Sequence, residues 1–330
     1  MLVTLAQAED DLRKSPAFSF ATPEQGREIL TQRDEFIQRL SAFDRAARLK
    51  SDKDVTEAAY LEFVAGNVVS WTEKDKGIVG AALSEIWERL GPMSLPWPQP
   101  IYLIKTTGNE EGGAPYTRGN AIVLPDGELS QQSAESLRRI ISHELFHILT
   151  RQNPALKETL YAAIGFVPCG ELPFPSRLQP VKISNPDAPR NDHCIRLDVA
   201  NKQVWAIPIL YSKARTYDVS RGGEFFDYLT LRFLVVGATN TGVPSAALYD
   251  DADLHLVTAG KASGLFQQVG KNTEYIIHPE EILADNFSLL ILGADGVPSP
   301  EVLKKMQDIL RHTHTAKTGA GENSAGPDIR

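Results

Sequence analysis

The chain has 330 residues, 42% of them hydrophobic, enough to bury a substantial core in one large domain or two smaller lobes. Its 34 basic and 42 acidic residues leave a formal net charge of -8, and no dense Lys/Arg block is present to neutralise a phosphate backbone, which argues against nucleic acid as a partner. No run approaches the roughly 18 apolar residues of a membrane-crossing helix, so no transmembrane segment is expected.

At the N-terminus, Leu2-Val3-Thr4-Leu5 followed by Ala6-Gln7-Ala8 reads like the end of a signal-peptide apolar region with an A-x-A cleavage site. The charged segment and most of the apolar region that should precede it are missing. An extracytoplasmic (periplasmic or secreted) location and a cytoplasmic one therefore both stay open. Residues 1–95 read as a helical layer. Thr22 is an N-cap with Pro23 at the first helical position, and a periodic stretch follows through Ile29, Phe36, Ile37 and Leu40. A second helix is expected over 55–64. A third, capped by Thr72, carries Ile78, Leu83, Ile86, Trp87 and Leu90 until Gly91-Pro92 stops it.

Residues 96–164 change pattern. Two strands are expected, over 101–104 and 120–124, separated by a Gly-rich loop from Gly108 to Gly119, and the second is ended by a turn at Pro125-Asp126-Gly127. A long helix follows over about 131–150, with Leu137, Ile141, Leu145, Ile148 and Leu149 on its core side. Asn153-Pro154 starts a short helix. Residues 165–272 read as a β-rich insertion with a hairpin of 195–199 and 204–211 around Asn201-Lys202, and another extended run over 226–236. This segment holds both cysteines, Cys169 and Cys194, which can form at most one disulfide if the chain is exported and are too few for a cysteine-built zinc site. Two helices, over 279–292 and 300–312, close a region of 273–314, and 315–330 is polar and Gly/Ser/Ala-rich, as expected of a disordered tail.

The chemistry concentrates in the long helix, where His143-Glu144-Leu145-Phe146-His147 is an H-E-x-x-H motif. Four residues advance a helix by about 400°, so both imidazoles project from one face, a turn apart, and can share one ion. Glu144, beside the first histidine, is placed to reach a water as general base instead of binding the ion. The competing reading is a buried helix that happens to contain two histidines. With only seven histidines in the chain, composition alone does not account for this spacing.

A catalytic zinc site keeps three protein ligands and one open position. Glu281 is the candidate third ligand, in His278-Pro279-Glu280-Glu281-Ile282-Leu283-Ala284-Asp285 at the start of a helix. Asp285 shares its face four residues on and can accept the N–H of a ligating imidazole. Glu280 is the rival, but Ala284 stands where its partner acid would be. Tyr275 and His278 stand just before this helix; the resemblance to gluzincin metallopeptidases that these two motifs carry implies a Tyr or His that stabilises an oxyanion, and these two are the candidates. Tyr211 and Tyr217 are the alternatives, while His193, His255, His312 and His314 read as surface or structural groups.

H-E-x-x-H followed by E-x-x-x-D resembles the gluzincin metallopeptidases, the thermolysin-like group, and Glu281-Ile282-Leu283-Ala284-Asp285 is also similar to the E-x-x-A-D of CAAX prenyl protease-type peptidases. The match covers the two motif helices, well under half of the chain. Glu281 follows His147 at a far longer interval than in the thermolysin type. The resemblance implies an α+β fold with a zincin-like catalytic core and one zinc ion held by His143, His147 and Glu281. It also implies a peptide or protein substrate aligned by Asn120-Ala121 on an edge strand. The expected activity is peptide-bond hydrolysis with Glu144 as general base. Two rivals stand beside it, a non-catalytic zinc-stabilised binding protein and a zinc hydrolase of a non-peptide bond.

Overall fold

The computed structural model describes residues 17–318, with side chains through residue 312. The signal-like N-terminus and the expected tail from residue 319 onward lie outside the described residues, whereas 315–318 continue the last helix. The architecture is mixed α+β with two small sheets.

The first sheet contains β1 (Phe18–Phe20), β2 (Ile101–Thr106), β3 (Tyr116–Arg118) and β4 (Ala121–Pro125) in the order β1-β2-β4-β3. β1, β2 and β4 run parallel, and β3 is an antiparallel edge. β1 lies within the stretch that the sequence assigns to helices; its backbone is taken up by pairing with Ile101, Tyr102 and Leu103. Side chains alternate across the sheet. Ile101, Leu103, Ile122 and Leu124 enter one apolar cluster, while Ile104, Ala121 and Val123 enter another. Because both faces are covered, 121–124 reads as an unbroken apolar run.

Against the second cluster lie the first four helices. The single helix expected after Thr22 is three: α1 (Pro23–Leu30), α2 (Glu35–Arg39) and α3 (Ala42–Arg48). Thr22 does cap the first. The chain then restarts at Asp34 and Ser41, whose side chains accept the N–H groups of Ile37 and Asp44, so local capping wins over continuation. α4 (Glu57–Asn67) and α5 (Glu73–Leu90) start at the caps Thr56 and Thr72.

The Pro125-Asp126-Gly127 turn proves to be the opening of a short helix, α6 (Asp126–Gln131). The motif helix α7 (Ala134–Gln152) therefore begins a few residues later than expected, where the Ser133 hydroxyl accepts from the Ser136 N–H. α8 (Pro154–Ala163) follows with Pro154 in its first turn. The second sheet is antiparallel in sequence order: β5 (Phe166–Pro168), β6 (His193–Val199), β7 (Lys202–Ser212), β8 (Leu229–Val236) and β9 (Leu256–Val257). Its β6–β7 turn uses Ala200 and Asn201, both with positive φ, one residue earlier than expected. β8 starts at Leu229 because 225–228 form a 3-10 turn.

α9 (Leu265–Val269), α10 (Pro279–Leu292) and α11 (Pro300–Thr318) complete the chain. The largest apolar cluster runs from Val79 of α5 through both sheets to Leu310 of α11. Within it Leu137, Ile141, Leu145, Ile148 and Leu149 of α7 are at most 2% exposed, and Phe146 packs on Phe287 of α10 with ring centroids 5.5 Å apart. Deep burial of α7 and α10 against one another is what presents the polar side chains of both helices to each other.

Candidate metal centre

His143 and His147 leave α7 toward the first two turns of α10. Nε2 of His143 lies 3.0 Å from Glu281 Oε2, and Nε2 of His147 lies 3.6 Å from the same oxygen. Each Nδ1 has its own carboxylate: Asp285 Oδ1 at 3.1 Å for His143 and Glu280 Oε1 at 3.1 Å for His147. A proton on each Nδ1 satisfies these contacts and turns both Nε2 lone pairs toward Glu281, the second-sphere arrangement that orients ligating imidazoles. His143, His147 and Glu281 thus form a largely buried group that could hold a metal ion, with one ligand atom of each within 4.8 Å of the others.

Two orphaned atoms test that fit. His147 Nε2 and Glu144 Oε2 are buried without a hydrogen-bond partner among the described residues. Buried polar atoms left unpaired are costly and uncommon. A cation among the three ligand atoms would pair the first, and a water beside it would pair the second. One carboxylate and two imidazoles are a donor set that suits zinc.

Glu280, weighed from the sequence only as a rival ligand, instead holds the second histidine. Its carboxylate also accepts hydrogen bonds from the Thr150 hydroxyl and, at 2.5 Å, from Tyr161. Asp285 accepts from Thr273, and Asn185 donates to Glu281 Oε1 at 2.6 Å. Successive acids at the first turn of α10 sit where the helix dipole favours negative charge.

The electrostatics fit the geometry. Burial by itself would lower the His147 pKa, but Glu281, Asp187 and Glu280 overcome it and hold the ring up at about 9. Burial would raise Glu281, yet the two imidazoles bring it down to about 2. The carboxylates that favour a proton on each imidazole favour any cation at this point. Glu144 is pushed up to about 8 by burial and then by Asp187, with partial relief from His147 and His143.

The other expected site residues divide. Tyr275 lines the cleft beside His143 and Glu144, and at 41% exposure it stands at the mouth. His278 does not serve as a catalytic group: its Nδ1 accepts the Glu280 N–H, capping α10, and its Nε2 donates to the Arg190 carbonyl at 3.2 Å. Both ring nitrogens are committed, and burial pushes its pKa down to about 4. Asn120 and Ala121 are also corrected. β4 lies between β2 and β3, Ala121 is fully buried, and the Asn120 amide donates to the Pro100 carbonyl, so no backbone edge is free for a substrate there. The edge strand is β3. Tyr217 donates to the Gly223 carbonyl and Tyr211 packs in the second sheet; neither lines the cleft. His193 is structural, held between Asp192 and Glu158.

Sequence reasoning missed Asn185 and Asp187. The segment 184–190 crosses the edge of β3, and Asp187 brings a carboxylate oxygen within 4.8 Å of ligand atoms of both Glu144 and His147. In the sequence Asn185-Pro186-Asp187 looks like any polar, proline-flanked loop. Comparison with protein-family models, with curated proteins and with solved structures finds no match for this chain.

Proposed function

We propose that the chain is a zinc-dependent metallopeptidase with His143, His147 and Glu281 as ligands and Glu144 as general base. The observation that carries the reading is the pairing of a preoriented His-His-Glu group with a buried, unpartnered Glu144 oxygen beside it. Bound there, zinc would supply Lewis acidity toward a carbonyl oxygen and lower the pKa of water to about 7.

The protein's own groups account for the proton. Glu144 accepts it from the attacking water as the water oxygen bonds to the carbonyl carbon. It then delivers the proton to the amine nitrogen as the C–N bond breaks. A carboxylate whose pKa is raised toward neutrality suits both halves of that transfer. Tyr275, which lines the cleft, is assigned the donation to the developing oxyanion. The zincin-like core and the gluzincin resemblance belong to the same proposal. They are supported by a small mixed sheet whose antiparallel edge precedes the motif helix, and by Asp285 against His143.

A closed, structural zinc site is the second reading, because Asp187 could supply a fourth ligand. Asp187 groups with Glu144 and His147 but not with His143 and Glu281, which favours a group facing the water side over one completing a tetrahedron. The test compares the parent with Glu144→Gln and Glu281→Gln for bound zinc, thermal midpoint and cleavage of an unbiased peptide pool. Glu144→Gln is expected to keep its zinc and fold while losing about 10²- to 10⁴-fold in rate. Glu281→Gln is expected to lose zinc affinity as well as rate. Undiminished cleavage by Glu144→Gln would refute the mechanism.

A further inference from the structure

Segment 184–190 decides how a chain can lie in the cleft. The outward N–H and the hydroxyl of Thr117 on β3 both donate to Asp187 Oδ1, at 2.7 and 2.6 Å. From α7, Arg151 donates to the Asp187 carbonyl at 3.2 Å, to Thr117 Oγ1 at 2.8 Å and to the Gly119 carbonyl at 2.9 Å. The segment is fixed at both ends. Arg48 donates to the Ser184 carbonyl, and His278 donates to that of Arg190. Pro186 and Pro189 stiffen what lies between. This is a built wall. The outward N–H of Thr117 is taken by Asp187, which blocks an extended peptide from adding to β3 as a strand there.

Asp187 stands in that wall between a cleft of ≈ 340 Å³, shared with His143, Glu144 and Tyr275, and a cavity of ≈ 280 Å³ on the His147 side. Its carboxylate reaches within 4.8 Å of Glu144 and His147 atoms, and Oδ2 makes no hydrogen bond within the described residues. Glu144 Oε2 is buried and unpartnered, and a Glu144 carboxylate oxygen belongs to this same group of atoms. A substrate that stops at a wall presents an end group. The carboxylates of Asp187 and Glu144 suit a positive one; Arg151 is committed to the backbone and to Thr117, and Arg139, which also lines the cleft, lies 3.8 Å from Asp285. In a peptide the terminal nitrogen is only two bonds, about 2.5 Å, from the first carbonyl carbon. A carboxylate within 4.8 Å of Glu144 and His147 atoms is near enough to hold that nitrogen while the first carbonyl lies beside Glu144.

Building on the metallopeptidase reading, we propose that the substrate is a peptide with a free amino terminus, that Asp187 binds its ammonium group, and that one residue is removed at a time. Asp187 is thus a specificity-determining residue, and Glu144 remains the general base.

A tripeptide pool randomised at its first position, made with free and with N-acetylated amino termini, tests this. Retention is measured by ultrafiltration on zinc-loaded Glu144→Gln, alone and combined with Asp187→Asn, and cleavage by the parent is followed by mass spectrometry. Asn keeps the oxygen that accepts from Thr117 while removing the charge. The expected result is free peptides retained at least about tenfold better than acetylated ones, with that preference lost on Asp187→Asn at unchanged zinc content, and single residues released by the parent. Equal retention of both pools, or a preference that survives Asp187→Asn, overturns the proposal. So does loss of zinc on Asp187→Asn, which would make Asp187 a ligand, or faster cleavage of both pools by Asp187→Ala, which would make the segment an inhibitory plug. Failure of the hydrolytic reading shows separately, as undiminished cleavage by Glu144→Gln, and leaves the retention result to judge the amine site.

Discussion

Single residues show where spacing carries information and where it does not. His143, Glu144 and His147 are fixed relative to one another by the helical repeat, and Asp285 follows from Glu281 by the same rule. Glu280 escaped it, because it meets His147, Thr150 and Tyr161 across an interface that only tertiary packing creates. Asp187 escaped it for the same reason. His193 offers a test at this scale, away from the proposed ligands. Buried beside Asp192 and Glu158, its pKa is raised because their hydrogen bonds outweigh burial. That of Asp192 is lowered, because burial, which would raise it, is outweighed by His193 and Arg190. The histidine's contribution is fully present below about pH 6.5 and is lost as pH rises through its raised folded value; the aspartate's is present above about pH 3.8 and is lost as pH falls. The stability lost in His193→Gln, measured by urea unfolding, should therefore be larger near pH 5.5 than near pH 9. A loss that grows toward alkaline pH would contradict the assigned ion pair.

Among the elements, boundaries marked by a capping or helix-breaking residue were the legible ones. Thr22 and Thr72 cap helices as expected, whereas the helix expected from Val55 starts after a cap at Thr56. The splitting after Leu30 was hidden because the same apolar period runs through Phe36, Ile37 and Leu40, although Asp34 and Ser41 restart the helix. Strand order cannot be read from local pattern, which is why Asn120-Ala121 was placed on an edge that belongs to β3. The pairing of α7 with α10 is the element contact on which the site depends, and it can be probed without touching a polar group. Phe287 is fully buried against Phe146. Phe287→Ala should cost about 3–5 kcal/mol in unfolding free energy. A loss below about 1 kcal/mol would mean that the two helices do not rely on this packing.

For the whole molecule, the apolar cluster that links α5, both sheets and α11 explains how a carboxylate far along the chain returns to the motif helix. Glu281 comes back to His143 and His147 only after the second sheet has been built onto the same core. An ion bound by all three would tie α7 to α10, and binding to the folded chain alone adds about 2.7 kcal/mol when free ligand is a hundredfold above Kd. The most direct measurement is elemental analysis of protein purified without added metal, followed by chelation and zinc re-addition, with thermal midpoint and peptide hydrolysis read at each stage. The account predicts about one zinc per chain, a midpoint that falls on stripping, and recovery of midpoint and hydrolysis together when zinc returns. Full hydrolysis by the metal-free protein would contradict it.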